Sequence, residues 1–278
     1  MILDGKLVAN IRNEKLKEQI TKDLAKGISS PNIKIINVGD DPASKSYIKS
    51  KRKAARDVLI NAEIIEFNED VSQKEIENLI IKLNQDSSVD GILLQLPLPK
   101  HLNEHYLTNL IEASKDIDGF TLINQGKLFQ KQKALRPATP QGILNLLEYY
   151  EIDVSGLNVV VVGRSQIVGL PIAKMLLDLN ATVTICHSRT KDLINHTKSA
   201  DLIIMAVGIP LMLKADMVKE GAIIVDVGIN RVDGRLYGDV DFENVAKKAK
   251  YITPVPKGVG PMTINALLEN AYKIKKEK

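Results

Sequence analysis

The sequence contains no tryptophan and one cysteine, Cys186, and aromatic residues make up only 4% of its 278 positions. A single cysteine excludes an internal disulfide and fits a reducing compartment, so a cytoplasmic protein is expected. No apolar run reaches the length of a bilayer span, and the opening Met1-Ile2-Leu3-Asp4-Gly5-Lys6 lacks a signal-peptide pattern. No membrane association is therefore expected. Strong charge is missing too: the formal net charge is +4, spread over many lysines, with no basic cluster interleaved with aromatics. That balance suits anionic small molecules and gives no sign of a nucleic-acid partner. His101, His105 and His196 lie in polar stretches without metal-ligand spacing, so no metal is expected. No nucleophile-elbow motif supports serine–histidine catalysis. What is present, 44% hydrophobic and 26% charged residues, describes a globular chain long enough for two domains.

The most informative stretch runs from Leu157 to Gly169. Four consecutive valines bounded by turn residues suit a strand buried on both faces, as in a parallel sheet. Gly163 allows a sharp turn, and Leu170 to Leu177 reads as an amphipathic helix with Pro171 near its start. Strand, glycine turn and helix N-terminus make a phosphate site, although the spacing is not G-x-G-x-x-G and a plain turn would look the same. A second strand, Ala181 to Cys186, ends about 20 residues after Gly163, where dinucleotide folds carry the carboxylate that holds a ribose 2′-hydroxyl. Here the chain reads His187-Ser188-Arg189-Thr190-Lys191, with no carboxylate before Asp192. A hydroxyl, a guanidinium and an amine suit a 2′-phosphate, and Arg164 can point to the same place. These residues favour NADP over NAD; an exposed basic loop is the plainer reading.

Along the rest of the chain, helices are expected from Asp4 to Lys26, Ala43 to Leu59, Ser72 to Asn84, Asn103 to Glu112, Gly142 to Tyr150 and Thr263 to Lys273. Strands are expected over Ile33–Val38, Ile64–Phe67, Gly91–Leu96, Asp201–Val207 and Ala222–Val227, with a hairpin tip at Asp233-Gly234. Alternating strands and helices imply an α/β fold with mostly parallel sheets. Arg136 to Pro140, stiffened by two prolines, reads as an extended crossing between domains. The last helix is expected to return and pack on the first domain.

Three further features carry possible chemistry. Tyr47 and Lys51 are four apart and share a helix face. Lys49, Arg52 and Lys53 crowd the same helix; neighbouring positive charge would lower the Lys51 pKa and let the amine act as a base, while a surface pair is the alternative. Gln95 interrupts an apolar strand, so its amide is met either by backbone or by a ligand. Asp116 and Asp118 precede Gly119, either as a self-capped turn or as a carboxylate for an amino-heterocycle.

Taken together, several segments resemble the bifunctional methylenetetrahydrofolate dehydrogenase/methenyltetrahydrofolate cyclohydrolase family. They are Val38 to Ser44 with Tyr47 and Lys51, Leu94 to Pro99, Lys115 to Phe120, Gly163-Arg164-Ser165 through Pro171, Cys186 to Ser188, Asp226 to Asn230, Gly238 to Phe242, and Thr253 to Thr263. They follow the family's order over nearly the whole chain. The resemblance implies a folate-binding catalytic domain over residues 1–138, joined by a C-terminal helix at 264–278, and a Rossmann-type NADP domain over 139–263. It also implies a cleft between the domains, a homodimer, and tetrahydrofolate one-carbon substrates. By this resemblance Lys51 is catalytic, Gln95 supports it, Tyr47 stacks on the folate and Asp118 binds the pterin. Gly163, Arg164, Ser165, Ser188 and Arg189 would hold the cofactor, with Ile229 and Thr263 on the nicotinamide side.

Three positions depart from the family pattern: Ala138 in place of a cysteine, Thr121 in place of a histidine, and Lys257 in place of a glycine. If that glycine needs a positive φ, lysine is strained there, and its amine could reach the cofactor or the folate tail. A Tyr-x-x-x-Lys pair also marks short-chain dehydrogenases, but there the glycine turn precedes the pair, whereas here it follows. A dehydrogenase without cyclohydrolase activity is a closer alternative. A non-enzymatic folate or nucleotide binder would have no need of Lys51 beside Gln95 and Asp118.

Overall fold

A computed structural model of the chain describes residues 1–278, the side chain of Ala43 excepted. It is an α/β protein that divides into two compact units, one of Ile11–Ala138 with Ile264–Lys278, the other of Met1–Asn10 with Thr139–Thr263.

The first unit holds α1 (Gly5–Leu24) from Ile11 onward, β1 (Asn32–Val38), α2 (Pro42–Asp57), β2 (Asn61–Phe67), α3 (Gln73–Gln85), β3 (Gly91–Leu94), α4 (Glu104–Leu110) and α5 (Leu122–Phe129). Its strands form a parallel sheet in the order β2-β1-β3. Alternation sorts the central strand: Ile33 and Ile35 enter one core with Leu16, Ile20, Ile48 and Ala55, while Ile36 and Val38 enter another with Ile76, Ile80 and Leu107. In β3, Leu93 faces the first core and Ile92 and Leu94 the second. The same period places Gln95, the next residue, on the side of α2. That helix starts with Pro42 in its first turn and Asp41 accepting the Ser44 N–H at 2.7 Å, a start of the kind proline and aspartate favour. α3 begins with a capping box between Ser72 and Glu75.

The second unit contains α6 (Ala138–Tyr149), β4 (Asn158–Val162), α7 (Gly169–Asp178), β5 (Thr182–Cys186), α8 (Leu193–Ser199), β6 (Leu202–Met205), β7 (Ile223–Asp226), the hairpin β8 (Asn230–Val232) and β9 (Arg235–Tyr237), α9 (Phe242–Val245) and β10 (Tyr251–Ile252). Five strands form a parallel sheet in the order β10-β7-β6-β4-β5. Val159 and Val161 of β4 pack on one side with Ile172 and Leu176, Val160 and Val162 on the other with Ile203 and Met205. The four valines are thus buried on both faces, as their run requires. The chain leaves β4 toward β5 on one side and then toward β6 on the other, so the order reverses between β4 and β6. In open α/β sheets ligands bind at such a point, beyond the carboxyl ends of the strands.

The chain closes with α10 (Val259–Glu277). Its Ala266, Leu267, Leu268, Ala271 and Ile274 lie in the first unit's core with Leu16, Ile20, Ile33 and Ile35. The expected return of the last helix is therefore observed.

Several boundaries differ from those expected. Residues 1–10, assigned on sequence to the first domain, cluster with the second unit. Ile2 bridges to Ile252 and the Leu3 N–H donates to the Ile252 carbonyl at 2.8 Å, extending the edge of β10. α10 begins at Val259 rather than Thr263. α6 begins at Ala138, so only Arg136 and Pro137 of the proposed crossing lie outside a helix and Pro140 sits in the first helical turn, where its missing N–H costs nothing. β3 stops at Leu94, one residue short of Gln95. α5 had no sequence-based expectation at all; Thr121, one of the departures from the family pattern, caps it by accepting the Asn124 N–H at 3.4 Å.

Lys257 has φ +84°. The left-handed region costs an L-residue about 1–2 kcal/mol, and glycine's extra unfolded-state entropy offsets about 0.5–1 kcal/mol of that. Lys257→Gly is expected to stabilise the chain by up to about 1 kcal/mol, read from the midpoint of urea denaturation. A lower midpoint would show that the exposed lysine makes interactions worth more than the strain.

Candidate active site

Lys51 is 4% exposed, because α2 turns it inward beside Ala55 and the sheet. Its Nζ donates to Gln95 Oε1 at 3.1 Å and lies 4.6 Å from the centre of the Tyr47 ring. Gln95 is equally well placed by its neighbours: its N–H donates to the Ile36 carbonyl at 2.9 Å and its Nε2 to the Leu96 carbonyl at 2.7 Å. The side-chain oxygen is thereby left to face the amine. Burial pushes the Lys51 pKa down, and the Asp118 carboxylate partly opposes this. The lowered pKa is as expected, but its cause is different. Desolvation lowers this pKa, and Lys49, Arg52 and Lys53 of the same helix are exposed.

The two aspartates of the Asp-x-Asp-Gly stretch separate into two roles. Asp116 is buried and accepts from the Gly119 N–H at 2.9 Å, the Thr121 N–H at 2.8 Å and Asn124 Nδ2 at 3.0 Å. It is the self-capping residue. Asp118 spends no carboxylate oxygen on a hydrogen bond among the described residues. Burial raises its pKa to about 6, with Lys51 opposing and Asp116 adding to the rise. A partly buried carboxylate next to a buried amine is a combination that recurs at functional sites.

The loop carrying Asp118 is pinned on several sides. Lys115 Nζ donates to the carbonyls of Leu83, Asn84 and Asp86 at the end of α3. Asn270 of α10 donates to the carbonyls of Ile117 and Arg136, both at 2.9 Å. Gly119, at φ +71°, lies against the Arg136–Pro137 backbone closely enough to exclude a Cβ. The reading from sequence missed Asn270, whose only local signal was a polar residue on an apolar helix face. Four residues from three separate stretches of the chain, Tyr47, Lys51, Gln95 and Asp118, thus belong to one cluster of the first unit.

In the second unit the other set of candidates gathers at the carboxyl end of its sheet. The Gly163 N–H donates to the Cys186 carbonyl at 2.8 Å, so the turns after β4 and β5 are neighbours. Gly163 adopts φ +132°, and a Cβ there would overlap the Ala206 carbonyl after β6. A Cβ on Gly169 would overlap the Gly163 carbonyl. The two glycines, six apart, therefore bring the start of α7 hard against the end of β4, a close approach that the more usual glycine spacing also provides. Ser165 Oγ accepts from the Val168 and Gly169 N–H groups at 3.2 and 3.3 Å, and retains its own O–H to donate. Arg164, Ser188 and Arg189 are exposed around these turns. His187 shapes its turn, with its N–H donating to Thr190 Oγ1 and its Nδ1 accepting the Arg189 N–H. A glycine cradle that any side chain would fill, at the switch point of a parallel sheet, with cations and hydroxyls at the rim and no carboxylate at the end of β5, fits an NADP-type dinucleotide.

Ile229 is 59% exposed after β7, while Thr263 is 9% exposed with its hydroxyl 3.1 Å from that of Thr139 and 3.3 Å from the Val259 carbonyl. No group of His, Cys, Asp and Glu among the described residues could hold a metal ion, and no helix is long and apolar enough to cross a membrane.

Comparison with known proteins gives one consistent result. Residues 3–118 match the catalytic-domain model of tetrahydrofolate dehydrogenase/cyclohydrolase, and residues 137–278 match the NAD(P)-binding-domain model of the same proteins. A bifunctional protein FolD from Acholeplasma laidlawii is 54% identical, over 98% of this chain and 97% of the relative. The crystal structure of the bifunctional FolD enzyme from Campylobacter jejuni is 49% identical with a TM-score of 0.97, covering 100% of this chain and 99% of that one. The Trypanosoma brucei FolD, solved in complex with NADP cofactor and an inhibitor, is 33% identical with a TM-score of 0.95, covering 100% and 97%. With both units matched and the identity near one half across the full length of the Acholeplasma and Campylobacter proteins, the chain belongs to the tetrahydrofolate dehydrogenase/cyclohydrolase family.

Proposed function

We propose that Lys51 is the proton-transfer group of a bifunctional enzyme whose second unit holds NADP on the turns after β4 and β5. The chain oxidises 5,10-methylenetetrahydrofolate to 5,10-methenyltetrahydrofolate and hydrolyses that product to 10-formyltetrahydrofolate. One observation carries the assignment of Lys51: its amine is buried, kept toward the neutral form by that burial, and aimed by a 3.1 Å hydrogen bond to Gln95.

Bound NADP supplies the hydride acceptor for the oxidation. Gly163 and Gly169 leave room for its phosphates, Ser165 donates its hydroxyl proton to them, and Arg164, Ser188 and Arg189 bind the 2′-phosphate. Ile229 and Thr263 line the nicotinamide side. On the folate side, Asp118 accepts N–H groups of the pterin and Tyr47 stacks on its ring. Loss of hydride leaves the one-carbon bridge a methenyl cation, which water attacks. Neutral Lys51 takes the proton released as the new C–O bond forms, and Gln95 holds the Nζ hydrogens so that the lone pair faces the water. The protonated amine then returns that proton to N5 as its bond to the carbon breaks, the remaining O–H proton passes to solvent as the C=O bond forms, and the formyl group is left on N10. The same reading, by family resemblance, has the chain working as a cytoplasmic homodimer.

The test is a single assay. Purified protein is given methylenetetrahydrofolate and NADP, and absorbance follows the methenyl and formyl products. Both are expected to appear, with turnover slower when NAD replaces NADP. Faster turnover with NAD would overturn the assignment of the basic rim, and methenyl product accumulating without formyl product would remove the second activity.

A further inference from the structure

Two carboxylates of the second unit meet N–H groups instead of a cation. Asp226, at the end of β7, is 3% exposed and accepts the N–H groups of Gly228, Asp239 and Val240 at 3.1, 2.9 and 3.0 Å. Asp239 is fully buried and accepts the N–H groups of Val207 and Gly208 at 2.8 and 3.0 Å and Asn230 Nδ2 at 3.0 Å. The two are interlocked by glycines. A Cβ on Gly228 would overlap the Asp239 carboxylate, and a Cβ on Gly238 would overlap that of Asp226. Each acid is seated on the glycine that neighbours, or lies two residues from, the other.

The arrangement is costly. Burial pushes the Asp226 pKa up to about 7, and the charge of Asp239 adds to the rise. A buried acid with a raised pKa opposes folding as pH climbs above the ordinary carboxylate range, because the folded chain holds the proton longer than the unfolded chain does. Packing alone would be served better by apolar residues. What the pair achieves is specific: it ties the turn after β6 to the turn after β7, and grips Gly228 and Asn230 on either side of Ile229. That side chain is nevertheless 59% exposed. The loop is held firmly so as to present an apolar group outward.

We propose that Asp226 and Asp239 are positioning residues for the dehydrogenase reaction, clamping Gly228–Asn230 so that Ile229 bears on the nicotinamide. The inference rests on the placement of Ile229 given above. Because the clamp belongs to the cofactor side, it acts on oxidation and leaves the cyclohydrolase reaction alone.

Two variants of the full chain, Asp239→Asn and Asn230→Ala, are assayed for the two reactions separately. Hydrolysis is followed from methenyltetrahydrofolate without NADP, oxidation from saturating methylenetetrahydrofolate with varied NADP. Asp239→Asn puts an amide N–H where an acceptor is needed, and is expected to lower dehydrogenase kcat by about 10- to 100-fold, the penalty of misplacing a reactant by about an ångström. Asn230→Ala removes one strut and is expected to act in the same direction by a smaller factor. In both, cyclohydrolase turnover stays within about twofold, which also reports that the variant is folded. An equal loss of both activities in Asn230→Ala would make the pair mere scaffold and overturn the proposal, as would unchanged oxidation in both variants. Ile229→Ala separates the underlying reading: if it leaves NADP kinetics untouched, the placement of Ile229 fails and the clamp with it. If it alters them while both clamp variants do not, the clamp alone fails.

Discussion

Lys51→Met is expected to abolish hydrolysis of methenyltetrahydrofolate, with a loss of about 10²- to 10⁴-fold, the range that a positioned proton-transfer group contributes. The dehydrogenase rate should fall much less, because hydride departure requires no proton at Nζ. Methionine fills nearly the same volume and suits a residue that is 4% exposed, so the loss should come without a cavity. The wild-type hydrolysis rate should fall as pH is lowered through the depressed pKa of Lys51, since a protonated amine cannot accept the water's proton. The stability effect follows from the same shift. An amine whose folded pKa is lowered binds its proton more weakly in the folded chain, so its contribution to stability improves as pH rises. Replacing it with methionine removes that penalty but leaves Gln95 Oε1 without its donor, so the variant's stability should depend less on pH than the parent's. Stopped-flow absorbance of methenyl decay against pH, with a denaturation curve for each protein, checks both statements. Wild-type hydrolysis rates in the variant would take Lys51 out of the mechanism.

Gly163→Ala is expected to disrupt the second unit through both backbone conformation and overlap. The residue sits at φ +132°, and the new Cβ would overlap the Ala206 carbonyl, a backbone group at the start of the turn after β6. Neither partner can rotate away, so β4 and β6 must separate at the point where the sheet order reverses. A cost of about 2–4 kcal/mol is expected, within the class of strain and overpacking effects. Because the same turn is the proposed phosphate cradle, KM for NADP should rise by at least about tenfold. Gly27→Ala is the control: it has φ +80° with nothing within 4 Å of the added carbon, and should lose only about 1 kcal/mol to backbone strain. Equal midpoints for the two variants would show that the turn after β4 relaxes freely.

The pattern of apolar residues carried most of the architecture. The valines of β4 could only be a strand covered on both faces, and the glycine after them could only be a turn. The spacing of Leu267, Leu268, Ala271 and Ile274 marked the buried face of α10. What escaped was anything set by distant partners. α5 is only eight residues long and depends on its Thr121 cap, and the first residues join the second unit through pairing with Ile252, which no local signal announces. Of the candidate site, Lys51, Gln95 and Asp118 were legible as residue types that sit uneasily where they are. Which aspartate caps the turn and which leaves its carboxylate without a hydrogen bond was not, because Asp116 and Asp118 differ only in how the loop folds around them. The desolvation of Lys51 was hidden for the same reason: its neighbours in sequence are exposed cations, while the groups that bury and meet its amine, Gln95 and the Asp118 loop among them, come from distant stretches of the chain.

Cys186 is fully buried at the end of β5, and burial pushes its thiol pKa up from the ordinary value of 9.0. Thiolate is the species that reacts with alkylating dyes, so the folded protein is silent to them and the unfolded protein is not. Any cysteine engineered onto an exposed position, such as 49 on α2 or 229 beyond β7, would be the sole labelling site of a native sample. A tryptophan placed in the same way would have no background emission from other indoles, because the chain contains none.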